Sequence, residues 1–393
     1  MSDFATSCND PEMTQRAYKI EPDEFRNEFE RDYTRIIHSR AFRRLRHKTQ
    51  VFVSPNNDHI CTRLEHSLHV ASISKTIAKK LDLNEDLVLA IAVGHDLGHA
   101  PFGHRGEECL KKIVEEGKKK AETKTSDAKL KHYASISEFH HEKNSLRMVE
   151  KLDSPYEEHS GLNLTFAVRD GIACHCGEEL LKELSPRDKK EVDLYSYSVL
   201  PKTLEGCIVR IADVIAYLGR DMEDAITAEI ITRDQLPSKV QKHLGKENRN
   251  IIHSLIADVC DQSKGKYKIV LSDDVFEAIC EFRKFSMGNI YENEKVKKHF
   301  DRIEKSMEVM FEEIFDKVLI FQQRPELIDC PQDTLVNQEV DNFKVLRDFL
   351  KTDIKKTWQD ENPVQLTIDF VSGMTDTYFI SYFKSLFLPQ PTF

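Results

Sequence analysis

Seven consecutive apolar residues, Leu87 to Val93, run through Gly94 straight into an adjacent imidazole and carboxylate, His95 and Asp96. Burying a carboxylate without a partner is costly, so a fold that buries this run must bring donors, cations or a metal to its end. Asn84 supplies an N-cap, Glu85 and Asp86 an acidic first turn, and Leu87, Ala90, Ile91 and Gly94 one apolar face. His95 extends that face four residues past Ile91. The run is far shorter than the roughly 18 residues a membrane span needs. Gly (14) and Pro (13) in 393 residues fall below their usual shares of about 7% and about 5%. That scarcity argues against a turn-rich sandwich or barrel and for an all-α chain.

The same period recurs along the chain. A helix from about Arg63 to Lys80 places His66, His69, Val70, Ile73 and Ile77 on one stripe. Further helices are expected over Glu138–Leu152, Leu162–Leu184 and Leu204–Ala225, and the last third carries the stripe Ile303, Met307, Met310, Phe311, Ile314, Phe315 and Val318. The cluster FVSPNNDHI, Phe52 to Ile60, breaks the period and reads as a loop. Lys-rich Glu115 to Ser137, poor in large apolar residues, reads as a mobile surface loop.

Lys and Arg number 57 against 67 Asp and Glu, a net charge of −10, which excludes coating of nucleic acid through bulk basicity. A local exception is Arg31 to Lys48, with seven Lys or Arg against one Asp. Those cations suit either a solvated helix face or a phosphate-bearing ligand. No apolar leader occupies the first thirty residues, so a cytoplasmic address is expected. The nine cysteines form no paired CxxC motif and stand singly apart from Cys174 and Cys176, which reads as reduced, packing thiols.

Metal-binding residue types concentrate in three short segments: His66, the pair His95 and Asp96, and Asp213. Two imidazoles and two carboxylates suit a hard-to-borderline divalent cation and leave positions open for water and substrate. Mg²⁺ or Mn²⁺ leads, with Fe, Co, Ni and Zn also compatible. The run HDLGHAPFGHRGEE, His95 to Glu108, adds His99, His104, Arg105 and Glu107, and FHHEKNS adds His140, His141 and Glu142. Asp213, Tyr217 and Asp221 fall at i, i+4 and i+8, one wall of a pocket.

These residues resemble the HD phosphohydrolase superfamily in their order His66, His95-Asp96, Asp213. More specifically, six segments together resemble the deoxyguanosinetriphosphate triphosphohydrolase family, and more distantly the vertebrate sterile-alpha-motif HD enzymes. They are RDYTRIIHSRAFRRLRHKTQVF, TRLEHS, HDLGHAPFGHRGE, GLNLT, IADVIAYLGRDMEDAI and DFVSGMTDTY, in order from residue 31 to 378. The resemblance implies an all-α HD-domain fold with additional C-terminal helices. It divides the chain into an N-terminal extension (1–30), an HD core (31–230, with 115–137 as the mobile loop) and a helical C-terminal region (231–393) packed on the core and at subunit interfaces.

The implied reaction is hydrolysis of dGTP or another dNTP at the α-phosphorus, giving deoxynucleoside and inorganic triphosphate. His66, His95, Asp96 and Asp213 would hold one metal ion. His104 would protonate the leaving 5′ oxygen, oriented by Glu107. Arg63, His99 and His141 would hold phosphate oxygens, and Tyr217 would line the phosphate side. Gln50 and Asp221 would read the sugar 3′ hydroxyl, with Val51 packed where a 2′ hydroxyl would not fit. Some arginines of 31–48 would face ligand or a subunit interface. Implied partners are the dNTP substrate, a regulatory dNTP, single-stranded nucleic acid on the basic patch, and further copies of the chain, with a hexamer favoured. Two rival readings stay open: an HD phosphohydrolase acting on a nucleoside monophosphate or signalling nucleotide, and a non-catalytic nucleic-acid-binding scaffold. The runs that mark alarmone and cyclic-dinucleotide hydrolases are absent, and a scaffold would be expected to have lost ligands that are all present.

Overall fold

The computed structural model describes residues 2–52, 59–123, 127–177, 180–188, 192–196, 199–298, 300–329, 343–352, 354 and 358–388. Its architecture is all-α. The core comprises α1 (Glu28–Ile37), α2 (Arg40–Arg44), α3 (Arg63–Leu81), α4 (Glu85–Gly94), α5 (Gly103–Thr123), α6 (His141–Arg147), α7 (Phe166–Ala173) and α8 (Leu204–Thr227). Behind it come α9 (Ser238–His243), α10 (Asn248–Ser263), α11 (Asp273–Ser286), α12 (Glu294–Lys297), α13 (Phe300–Gln323), α14 (Lys344–Thr352), α15 (Pro363–Ser372) and α16 (Asp376–Phe387). Among the described residues the one ribbon pairs β1 (Glu183–Leu184) antiparallel with β2 (Ile269–Val270), Glu183 opposite Val270.

Helices α3, α4 and α8 pack on one another, with α1 and α7 laid against α4. Capping sets where they start. Thr62 and Glu65 form a reciprocal capping box on α3, and Asn84 accepts from the amides of Asp86 and Leu87 on α4. The α4 face anticipated from its spacing is buried throughout, and the closeness of α7 leaves no room beside Gly94, where a Cβ would lie 2.6 Å from Ile172 Cδ1.

Three expectations need correction. Residues 115–123 continue α5 instead of opening a loop. Gly117 lets Tyr133 pack directly on the helix, and Glu116 and Lys120 pair one turn apart at 3.9 Å. Residues 124–126 of that segment lie outside the described residues, as do 53–58 of the expected loop. The helix expected over Leu162–Leu184 is only Phe166–Ala173. Arg210 of α8 donates to the carbonyls of Cys174 (3.2 Å) and Cys176 (2.7 Å), so it takes acceptors that a continuing helix would use and ends α7 there. His69 also sits half-buried, away from the site that His66 helps to build.

Long-range ties fix the loops around the site. Thr6 donates through its amide and hydroxyl to Glu205 at 2.9 and 2.7 Å, and Arg16 pairs with Glu28 and buried Asp32, so residues at the N-terminus lie along the core. From the C-terminal side, Asp376 accepts from Thr49 (amide 3.2 Å, hydroxyl 2.5 Å) and from the Phe102 amide (2.8 Å). Lys48, fully buried, donates to the carbonyls of His99 and Ser372. Helix α13 packs on both α5 and α15.

Candidate metal and phosphate site

Helices α3, α4 and α8 each bring one part of the expected ligand set to the floor of a cavity of about 660 Å³. His66 Nε2 lies 2.9 Å from Asp213 Oδ1 and 3.8 Å from Asp96 Oδ2. His95 donates from Nδ1 to the Ala92 carbonyl at 2.7 Å. Its Nε2 is buried without a hydrogen-bond partner, 3.3 Å from Asp96 Oδ1 and 3.8 Å from Asp213 Oδ1. A nitrogen lone pair facing two carboxylate oxygens is an arrangement a cation relieves, and the anchored Nδ1 is how metal-binding imidazoles are commonly oriented. The residues fit a divalent ion. Burial opposes the charges on both carboxylates, but neighbours outweigh it. His95, His99 and Arg63 hold Asp96 well below the usual range, and His66 holds Asp213 at about 2.

The loop after α4 is clamped from above. Gly98 has no room for a side chain, since a Cβ would lie 2.1 Å from the Ser145 amide of α6. Ser145 Oγ accepts from Gly98 at 2.9 Å and donates to the His95 carbonyl at 2.6 Å, and Asn144 donates to the Gly98 carbonyl at 2.7 Å. A tight turn with positive φ at Phe102 and Gly103 then starts α5 and presents His104 to the cavity. His104 is open to water on that side, yet the surrounding protein atoms, and then the Arg63 charge, lower its pKa to about 4.

Arg63 donates to Asp96 Oδ2 at 2.8 Å and keeps Nε and Nη2 unpartnered. His99 contacts Asp96 Oδ1 at 3.0 Å and stacks on His141 at 3.8 Å between ring centroids. Burial and the Arg63 charge keep His99 neutral. Glu107 does not hydrogen-bond His104 as expected: its Oε2 accepts from His141 Nδ1 at 2.9 Å, because α5 turns that carboxylate toward α6. Burial works against a charge on His141, but Glu107 raises its pKa well above the ordinary value.

Gln50, Val51, Tyr217 and Asp221 line the upper cavity. Asp221 accepts from the Tyr291 hydroxyl at 2.6 Å, and burial pushes its carboxyl up to about 7. None of the cations of Arg31–Lys48 lines the cavity: Arg31 pairs with Glu28, Arg35 donates to the Leu162 carbonyl and Lys48 is the buried tie already described. The cavity draws instead on Arg63, Arg105, Lys111, Arg210, Arg283 and Lys284. Sequence reasoning missed Arg210, Arg283, Tyr291, His175 and Cys176 as lining residues. For the last two a signal existed, a histidine flanked by two cysteines. Burial, and then His95, push His175 down to about 3, and burial pushes the Cys176 thiol up to about 11.

The HD domain family matches residues 63–218, from the Arg63 turn through the helix that bears Asp213. Across the whole chain, a deoxyguanosinetriphosphate triphosphohydrolase-like protein of Caldanaerobacter subterraneus subsp. tengcongensis is 35% identical over 382 residues, covering 97% of this chain and 91% of the relative. The chain belongs to this family of HD-domain hydrolases. Family members of the same description from Desulfatibacillum aliphaticivorans (35% identical, 100% and 95% covered) and Clostridium tetani (31% identical, 95% and 90% covered) match equally along their length. Within the matched span His66, His95 and Asp96 form a group that could hold a metal ion, with Asp213 of α8 2.9 Å from His66.

Proposed function

We propose that the protein is a metal-dependent deoxynucleoside triphosphate triphosphohydrolase, with dGTP the first substrate to test. The observation that supports this best is the position of His104 and Arg63 on one cavity with His66, Asp96 and Asp213, behind which His95 sits 3.3 Å from Asp96. The volume suits a nucleotide, since small-molecule sites run from about 300 to about 1,000 Å³. Bound by His66, His95, Asp96 and Asp213, a divalent ion would supply Lewis-acid charge that polarises the α-phosphate and lowers the pKa of water.

The side chains do the rest. A triphosphate carries about four negative charges, and Arg63 and His141 offer charge-assisted donors to its oxygens. Water adds to the α-phosphorus and gives up a proton to solvent, the bond from phosphorus to the 5′ oxygen breaks, and His104 delivers a proton to that oxygen and is reprotonated from solvent. Binding the polyanion raises the His104 pKa toward the working range, which suits a group whose free value is low. Gln50 and Asp221 hold the sugar 3′ hydroxyl, and Val51 closes the space a 2′ hydroxyl would need. Glu107 acts on His141, fixing the ring that faces the phosphates. The same reading includes a homo-oligomer, with a hexamer the first size to test, and a regulatory dNTP.

The test is to incubate the protein with each dNTP and with GTP, in Mg²⁺ or Mn²⁺, and resolve phosphorus products by ion exchange. Intact triphosphate and deoxynucleoside, with GTP untouched, are expected. Orthophosphate or pyrophosphate as the first product contradicts the reading and turns attention to other nucleotides.

A further inference from the structure

Directly after α7 the chain places His175 and Cys176 against His141 of α6. His175 is 1% exposed. Its Nδ1 donates to the Ile172 carbonyl at 2.7 Å, and its Nε2 is buried with no hydrogen-bond partner. Cys176 Sγ lies 3.4 Å from His141 Nε2, while His141 Nδ1 is held by Glu107. One ligand atom from each of the three residues falls within 4.8 Å of the others, and all three residues line the cavity.

We propose that His141, His175 and Cys176 form a second metal site, separate in ligand chemistry from the HD cluster, that takes a borderline thiophilic divalent cation of the Zn²⁺ or Co²⁺ type. Two imidazoles and a thiolate are a softer set than two imidazoles and two carboxylates. With bonds of about 2.0–2.1 Å to nitrogen and about 2.3 Å to sulfur, a tetrahedral ion places neighbouring nitrogen and sulfur donors about 3.6 Å apart. The His141 to Cys176 separation of 3.4 Å already matches this, and small side-chain adjustments bring in His175. Both imidazoles have the anchored Nδ1 that metal-binding rings show, one on a carboxylate and one on a carbonyl. Binding forms one sulfur–metal and two nitrogen–metal bonds and releases to solvent both the thiol proton and the Nε2 proton that His141 carries as an imidazolium. Three protein ligands leave a fourth position open to the cavity, the layout of a reactive site more than of a structural one. The rival set Asp96, His99 and His141 needs the same His141 nitrogen, but it has no sulfur, so the two are separable by spectroscopy.

The site uses the His141 Nε2 that the proposed function turns toward phosphate, so it belongs to the nucleotide-free protein, and the experiment reads metal binding alone whether or not dNTPs are the substrate. Metal-stripped full-length protein is titrated with Co²⁺ and followed by absorption. The wild type should develop a near-ultraviolet sulfur-to-cobalt charge-transfer band and bind two equivalents. Cys176→Ser should lose the band and retain one equivalent, and Asp213→Ala should keep the band. A saturated wild-type protein without the band overturns the proposal whatever its stoichiometry, and so does a band that persists in Cys176→Ser.

Discussion

Buried polar atoms without partners gather around one cavity: His95 Nε2, His99 Nδ1, His175 Nε2, Arg63 Nε and Nη2, and Asp221 Oδ1. Ordinary interiors leave few such atoms, and their concentration here marks groups held ready for a ligand. In the proposed reaction His104 moves a proton. Replacing His104 with Ala should lower turnover on the order of 10²-fold or more while metal content, measured by mass spectrometry of the purified protein, stays the same. Asp221 gives a stability signature. Its pKa of about 7 lies above the ordinary 3.8, so the folded state keeps a proton that the unfolded chain loses between about pH 4 and about pH 7. A raised folded pKa contributes stability at low pH that is lost as pH rises through it. At about 1.4 kcal/mol per pH unit for one proton, that loss approaches about 4 kcal/mol. Asp221→Asn, which can still accept from Tyr291, should therefore match the wild type in melting temperature near pH 4 and exceed it increasingly toward pH 8. A difference independent of pH would contradict the account. The gain should come with weakened nucleotide binding, since the carboxylate is the proposed 3′-hydroxyl acceptor.

The helices that carry the donor set were readable because each declares itself locally. Thr62 to Glu65 and Asn84 cap α3 and α4, and Asp213, Tyr217 and Asp221 fall one turn apart on α8. His66, His95, Asp96 and Asp213 come together in the fold, His66 2.9 Å from Asp213 and His95 3.3 Å from Asp96. What was not readable depends on contacts distant in sequence. No local pattern says that Arg210 will cap α7 and stop it at Ala173, or that Glu107 will turn from His104 to His141 across 34 residues. By charge the cations of 31–48 suited a solvated helix face as well as a ligand, and none lines the cavity: Arg31 pairs with Glu28 and Arg35 donates to the Leu162 carbonyl. Positioning of the loop after α4 rests on Gly98 against α6, where the obstruction is backbone and cannot swing aside. Gly98→Ala should lower the melting temperature, at a cost of about 1–3 kcal/mol for an overpacked contact. It should also weaken metal affinity measured by chelator competition. Unchanged metal affinity would show that α6 does not hold this loop in register.

At the scale of the whole molecule, segments from both ends of the chain close on the HD core. Arg147 of α6 makes a two-pronged pair with Asp369 of α15 at 2.7 and 2.6 Å, with Asp369 fully buried. Removing one partner of such a pair leaves an unpaired buried charge and costs about 3–5 kcal/mol. Asp369→Ala should accordingly lower stability to denaturant by that order and loosen α6, the helix that carries His141. Chelation should destabilise the chain as well, because an ion bound only by the folded state adds about 2.7 kcal/mol at a free concentration 100 times its Kd. The melting temperature should fall with chelator and recover when a divalent metal is restored. No helix among the described residues is long and apolar enough to cross a membrane. In the proposed reaction water attacks the α-phosphorus of a deoxynucleoside triphosphate in this cavity, and turnover of dGTP in ¹⁸O-water reads the point of attack. The label is expected in an intact triphosphate and none in deoxyguanosine. Label in the deoxynucleoside, or in orthophosphate released first, would contradict it.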